Sequence, residues 1–273
     1  VPGRVDWKLE RRLGEGAFGE VWLARNKNTG DGRTFKFCFS ADRLVSLKRE
    51  LTLFRLIKET LGERPDIARI YEVRLDAPPY YLEMDYTEGG NLREWALQRG
   101  GMDKVPMPLR LELVAQVADA LSAAHSVGVI HKDVKPSNIL IREWKGGRRT
   151  SSNGGESSNE PQYQIRLIDF GVGHLVNREA IDAAGIAATS FDPKTATTEN
   201  DPLRHAGTHL YMAPELHAGK PSSIQSDVYA LGVLLYQCVV GDLTRPIAHG
   251  WEHDISNELL REDIAVIEHS CHL

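Results

Sequence analysis

The segment RTFKFCFS (33–40) constrains the fold of this 273-residue chain more than any other. Its side chains alternate with period 2, which predicts a strand with Phe35, Phe37 and Phe39 on one face and Thr34, Lys36 and Cys38 on the other. A lysine in the middle of such a strand either carries its ammonium to solvent along its stem or meets a buried acid. Residues 41–60 offer the acid. Leu44, Leu47, Leu51, Phe54 and Ile57 recur at helical steps, and Glu50 falls at the edge of that apolar stripe. The expected arrangement is a sheet covered by this helix, with Glu50 brought up to Lys36.

The composition is that of a globular chain, and the order of its strand and helix patterns reads as α+β. Hydrophobic residues make up 41% and charged residues 26%, which excludes wholesale disorder. A net charge of -5 argues against a dedicated nucleic-acid binder. Cys38, Cys238 and Cys271 are odd in number and far apart, so they make no disulfide framework and suit a reducing, cytoplasmic setting. The most apolar run, 228–240, is too short to cross a bilayer, and the first residues carry no signal-peptide pattern. The chain begins with Val rather than Met, so a piece of a longer protein is expected, with room for further domains beyond residue 273.

Two lobes are expected. The first, 1–87, is β-rich: strands flank GEGAFGEV (14–21), NKNTGDG (26–32) is a turn, and 67–75 and 80–86 are two more strands. EGGN (88–91) breaks the pattern. The second lobe, 88–273, opens with helices near 91–98 and 109–127, the latter stopped by Gly128. HKDVKPSN (131–138) is a loop, and 139–141 and 165–168 are short strands. Between them, 145–162 is rich in Gly, Ser and Asn and reads as a disordered insertion. Residues 224–240 are apolar nearly all round and predict a buried helix.

Taken singly, each motif leaves its chemistry open. The glycines of GxGxxG (Gly14, Gly16, Gly19) fit a plain hairpin turn, or a flap whose N–H groups approach nucleotide phosphates. Because strands flank them on both sides, a dinucleotide-binding strand–loop–helix fits poorly. Asp133, Lys135 and Asn138 fit an Asx-type turn before proline, or a general base beside an oxygen ligand for a divalent cation. Asp169, after the strand IRLI, fits a strand-end turn or a second such ligand.

In order along the chain, GEGAFGEV, Lys36, Glu50, HKDVKPSN, DFG (169–171), YMAPE (211–215) and SDVYALG (226–232) resemble the signature set of eukaryotic-type (Hanks-type) serine/threonine protein kinases, in a style similar to bacterial members. The resemblance implies a bilobal protein-kinase fold. It also implies Mg²⁺-dependent (or Mn²⁺-dependent) transfer of the ATP γ-phosphate to protein Ser/Thr hydroxyls, autophosphorylation included. By the same resemblance, Asp133 orients the substrate hydroxyl, Lys135 contacts the γ-phosphate, and Thr208 hydrogen-bonds near both. Asn138 and Asp169 hold the metal. Lys36, positioned by Glu50, clamps the α- and β-phosphates beneath the loop Gly14, Glu15, Gly16, Ala17, Phe18 and Gly19. Val21 and Leu140 sandwich the adenine, Met84 is the gatekeeper, and Asp85, Tyr86 and Thr87 form the hinge. His131 and Phe170 pack in an apolar spine, and Asp227 anchors the catalytic loop. A pseudokinase scaffold and a small-molecule phosphotransferase remain open alternatives.

The chain also departs from the family pattern. Lys132 stands where an arginine is usual and cannot form a bidentate fork, which puts control by activation-loop phosphorylation in doubt. Thr189, Ser190, Thr195, Thr197 and Thr198 are candidate modification sites, or simply solubilising hydroxyls. The late arginine that pairs with Glu215 has only Arg261 as a weak match. The short stretch after residue 240 is expected to leave apolar surface exposed. His249, His253, His269, Cys271 and His272 read as tail residues rather than metal ligands, since Gly250 interrupts the HxxxH spacing.

Overall fold

The lysine-bearing strand is β3 (Gly32–Cys38), at the centre of a five-stranded antiparallel sheet. Its companions are β1 (Trp7–Gly16), β2 (Gly19–Asn26), β4 (Ile70–Arg74) and β5 (Tyr80–Asp85), in the order β1-β2-β3-β5-β4. The computed structural model describes residues 1–16, 19–144, 162–170, 174–175, 209–255 and 261–271. Phe39 lies past the end of β3, where the chain turns into a helix; it stacks on Phe37 at 6.2 Å and is 58% exposed.

That helix is α1 (Ala41–Leu61). It ends where Gly62 adopts φ 76°, a left-handed conformation that costs glycine little, with its N–H donating to the Lys58 carbonyl at 2.9 Å. Leu47, Leu51, Phe54 and Ile57 are buried against the sheet face that carries Cys38, Leu82 and Met84. Each such side chain contributes about 1.5–3 kcal/mol by leaving water. The opposite face of the sheet holds a smaller cluster of Trp7, Ala24, Phe35, Phe37 and Tyr81, with Phe35 edge-on to Tyr81 at 5.4 Å.

The second lobe is mainly helical. Asn91 and Glu94 form a reciprocal capping box on α2 (Leu92–Leu97). Helix α3 (Met107–Ser126) buries Leu113, Val114, Val117, Leu121 and Ala124, and the chain reverses at Gly128, φ 76°. Two small ladders follow: β6 (Val129–Ile130) with β9 (His174–Leu175), and β7 (Ile139–Trp144) with β8 (Gln162–Leu167). The second ladder corrects the sequence reading at one edge. Gln162, expected in a disordered insertion, pairs with Trp144 because Tyr163 and Ile165 continue the inward alternation of the strand. Residues 145–161 lie outside the described residues.

Helix α4 (Pro214–His217) leads to α5 (Ile224–Val240), which is buried along most of its circumference and ends at Gly241, φ 84°. The expectation of exposed apolar surface after α5 is not met at its outer face. Trp251, Ile255 of α6 (Glu252–Ile255) and Ile267 of α7 (Arg261–Cys271) are buried against Tyr236 and Val239. The α5–α7 approach is close at Gly232, where a Cβ would stand 2.6 Å from that of Ser270. Among the described residues, no helix is long and apolar enough to cross a membrane.

Three contacts frame the cleft, and the first and last of them join the lobes. The loop after α1 adds to β8, with Leu167 N–H donating to the Asp66 carbonyl at 2.8 Å and Ala68 N–H to the Leu167 carbonyl at 3.0 Å. Gly89 passes so close to β7 that a Cβ would lie 2.1 Å from the Ile141 carbonyl oxygen, while Ile141 N–H donates to Gly90 at 2.9 Å. Arg166 pairs with Asp85 at 3.1 Å.

Candidate active site

Lys36 points from β3 toward α1, and its Nζ donates to Glu50 Oε2 at 2.7 Å and to Asp169 Oδ1 at 3.0 Å. The three groups come from β3, α1 and the turn after β8, so the contact exists only when both lobes are in place. Burial alone would lower the lysine pKa, but Asp169 and Glu50 outweigh it and hold Lys36 protonated. Burial pushes the Glu50 carboxyl up to about 7, against the pull of Lys36. Its other oxygen, Oε1, is buried without a hydrogen-bond partner.

A second cluster sits on the loop between β6 and β7. Asp133 Oδ2 receives Lys135 Nζ at 2.8 Å and Asn138 Nδ2 at 3.0 Å, and Nδ2 also reaches the Asp133 carbonyl at 2.7 Å. Asp133 Oδ1 is buried and has no partner. The Asn138 carbonyl oxygen receives the Ile168 N–H at 3.0 Å, which ties this loop to the residue before Asp169. His131 supports the same junction. Its Nδ1 accepts the Asp133 N–H at 3.2 Å, which assigns the ring proton to Nε2, and Nε2 donates to the Ile168 carbonyl at 2.9 Å. Its ring lies 4.6 Å from that of Phe170, which in turn meets Phe54 of α1 at 5.1 Å.

Both turns are strained. Lys132 has φ 70° and Asp169 φ 67°, the only non-glycine residues with positive φ among those described. Asp227, at the start of α5, restrains the first of them: its two oxygens accept the His131 and Lys132 N–H groups, each at 2.8 Å. His125 Nε2 sits 2.8 Å from the same carboxylate. Sequence reading missed His125; the available signal was a polar side chain three residues before the Gly128 stop.

The glycine-rich hairpin closes over this region through β2. Gly14 pairs with Val21, Glu15 with Glu20, and Gly16 with Gly19, while Val21 also pairs with Lys36. Of Gly14 and Gly19, Gly19 is the sterically obligatory one: φ is +133°, and a Cβ would stand 2.0 Å from the Phe37 carbonyl oxygen. Met84 is buried and pairs across the ladder with Thr34. After it, the Asp85 N–H is engaged by the Arg69 carbonyl at 3.2 Å, Tyr86 is half-buried, and the buried Thr87 Oγ1 has no partner. Leu140 is half-buried in β7, bridged to Asn91. Ala17, Phe18, Thr208 and the hydroxyls at 189–198 lie outside the described residues.

A model of the protein kinase domain matches residues 7–270, and the chain belongs to that family. It is 31% identical over 250 residues to the serine/threonine-protein kinase PkaA of Streptomyces coelicolor, covering 85% of this chain and 38% of the relative. It is 29% identical over 245 residues to the serine/threonine-protein kinase pkn3 of Myxococcus xanthus (86% and 38%). It is 27% identical over 268 residues to the 3-phosphoinositide-dependent protein kinase 1 of Arabidopsis thaliana (97% and 47%). The chain thus spans less than half the length of these curated relatives.

Proposed function

We propose that this chain transfers the γ-phosphoryl group of ATP to serine or threonine hydroxyls of proteins, itself included. The observation that carries the proposal is the state of Asp133. One oxygen is held by Lys135 and Asn138, and the other is buried without a partner, as a group awaiting a hydroxyl proton would be. Lys36, oriented by Glu50, would bind the α- and β-phosphates under the Gly14–Gly19 hairpin, and Lys135 would meet the transferred group. Val21, Leu140 and Met84 would enclose the adenine, with Asp85, Tyr86 and Thr87 along its edge. Thr208 would steady Asp133 and Lys135.

Asn138 and Asp169 are oxygen donors of the kind hard cations prefer, and Asn138 turns its NH₂ to Asp133, which leaves its side-chain oxygen for another ligand. They would hold Mg²⁺ (or Mn²⁺ in its place), which supplies charge neutralisation at the phosphates. The lobe boundary would fall at 87/88. The free thiols of Cys38, Cys238 and Cys271 support a reducing, cytoplasmic location. Preference for Ser/Thr rests on Lys135 and on the printed names of the relatives.

The test is phosphate transfer from radiolabelled ATP to the chain itself and to a generic protein acceptor. Wild type should label both. Asp133→Asn should lose about 10³-fold or more while binding ATP normally. A nucleotide-induced thermal shift with no transfer by wild type would instead define a binding scaffold.

A further inference from the structure

A cavity of about 560 Å³ lies between the C-terminal half of α1, the loop 62–69 and β4. Its inner wall is apolar, made by Leu51, Phe54 and Ile57 of α1 with Ile67, Ile70 and Val73. Its rim is basic. Six cationic side chains line it against three carboxylates, on a chain whose net charge is -5. Several of these charges are already matched: Lys58 and Arg69 reach Glu63 at 3.1 and 2.9 Å, and Arg166 reaches Asp85 at 3.1 Å. Arg55 and Arg142 are exposed and have no counter-ion among the described residues; Arg142 only lies over the Trp144 ring at 5.3 Å. A cavity of this size with an apolar floor and a few convergent charges has the make-up of a small-molecule site.

We propose that this cavity is an effector site for a small anionic amphiphile, an apolar body seated on Leu51, Phe54 and Ile57 with a carboxylate or phosphate head at Arg55 and Arg142. The walls give occupancy a route to the cleft. Phe54 carries the edge contact to Phe170, and α1 carries Glu50 to Lys36. The cavity is present with the Lys36–Glu50 contact formed, so a ligand selective for this arrangement favours it. By reciprocity, it tightens nucleotide binding by the same factor that nucleotide tightens its own. This coupling rests on the functional reading above; the site itself does not.

The test is a titration of the whole chain with carboxyl-¹³C-labelled decanoate, followed by NMR, beside a separate titration with ADP. One saturable decanoate site is expected in wild type, with decanol at least about tenfold weaker. Arg55→Glu with Arg142→Glu should weaken decanoate about tenfold or more, and Val73→Phe, which fills the cavity, should abolish it. ADP should bind about fivefold tighter or better at saturating decanoate. No saturable binding, equal binding of decanol, or an unchanged affinity in the double variant would overturn the site. Attachment to phosphatidylglycerol vesicles without any binding of free decanoate would also overturn it. An ADP affinity indifferent to decanoate would overturn the coupling. If ADP does not bind at all, the functional reading falls while the decanoate titration still decides the site.

Discussion

His125 Nε2 lies 2.8 Å from Asp227 Oδ2, the oxygen that also receives the His131 N–H. A single buried carboxylate therefore joins the end of α3, the start of α5 and the strained turn at Lys132. Asp227→Asn keeps the shape but sets an amide NH₂ against a second donor. It should cost about 2–4 kcal/mol, seen as a lower urea midpoint. His125→Gln should cost less than about 1 kcal/mol, since the backbone donors remain. An unchanged midpoint in Asp227→Asn would contradict this account.

Glu50 sets opposite pH dependences for fold and function. Its folded pKa of about 7 lies above the ordinary 4.5, so the folded chain binds a proton that the unfolded chain has released. The stability this group contributes is fully present below pH 4.5 and is lost as pH rises through about 7. The charged pair with Lys36 forms over the same interval. ADP affinity should therefore rise between pH ~6 and ~8, and Glu50→Gln should flatten that rise. Calorimetric titration across this range is the measurement; an identical slope in the variant would remove Glu50 as the cause.

Gly14 and Gly19 of the hairpin should respond differently to alanine. A Cβ at Gly14 meets nothing within 4 Å, whereas at Gly19 it runs into the Phe37 carbonyl. Gly14→Ala should leave the melting temperature within about 1 °C, and Gly19→Ala should cost about 1–3 kcal/mol. Equal melting curves for the two variants would show that the backbone at Gly19 relaxes freely.

Arg110 is a buried cation held by carbonyls alone: Val105 at 2.6 Å, Asp103 at 2.8 Å, and Cys238 and Val239 at 3.1 Å each. The last two belong to the final turn of α5, where the helix leaves its carbonyls unpaired and partly negative. Arg110→Met keeps the stem and strands the acceptors. A loss of about 2–4 kcal/mol is expected, a fall of roughly 5–10 °C by calorimetry.

What could be read in the sequence was whatever repeats locally. The alternation around Lys36, the stripe Leu47–Leu51–Phe54 and the apolar run at 224–240 each name their element, and they mark where β3, α1 and α5 lie. What depends on distant partners was not legible. The two-residue ladder β6–β9 has no period of its own, and Gln162 becomes a strand residue only because Trp144 faces it. Nothing adjacent to Arg110 says that the end of α5 will meet it. In the site, Glu50 was readable because an acid beside an apolar stripe asks for a partner, whereas nothing adjacent to His125 says that Asp227 will meet it. The covering of Tyr236 by Trp251 and Ile267 is likewise a matter of chain path, which periodicity does not encode.

Because Asp66 and Ala68 are stitched to β8, the trailing end of α1 is pinned to the larger lobe, while among the described residues no backbone hydrogen bond ties its leading end there. The helix is thus a lever with its fulcrum just beyond Leu61. Glu50 rides about 16 Å from that fulcrum at 1.5 Å per residue, so a tilt of about 10° carries its carboxylate roughly 3 Å. That excursion equals the whole reach of its contact with Lys36, so a rotation too small to disturb the stitched end is enough to disengage the other.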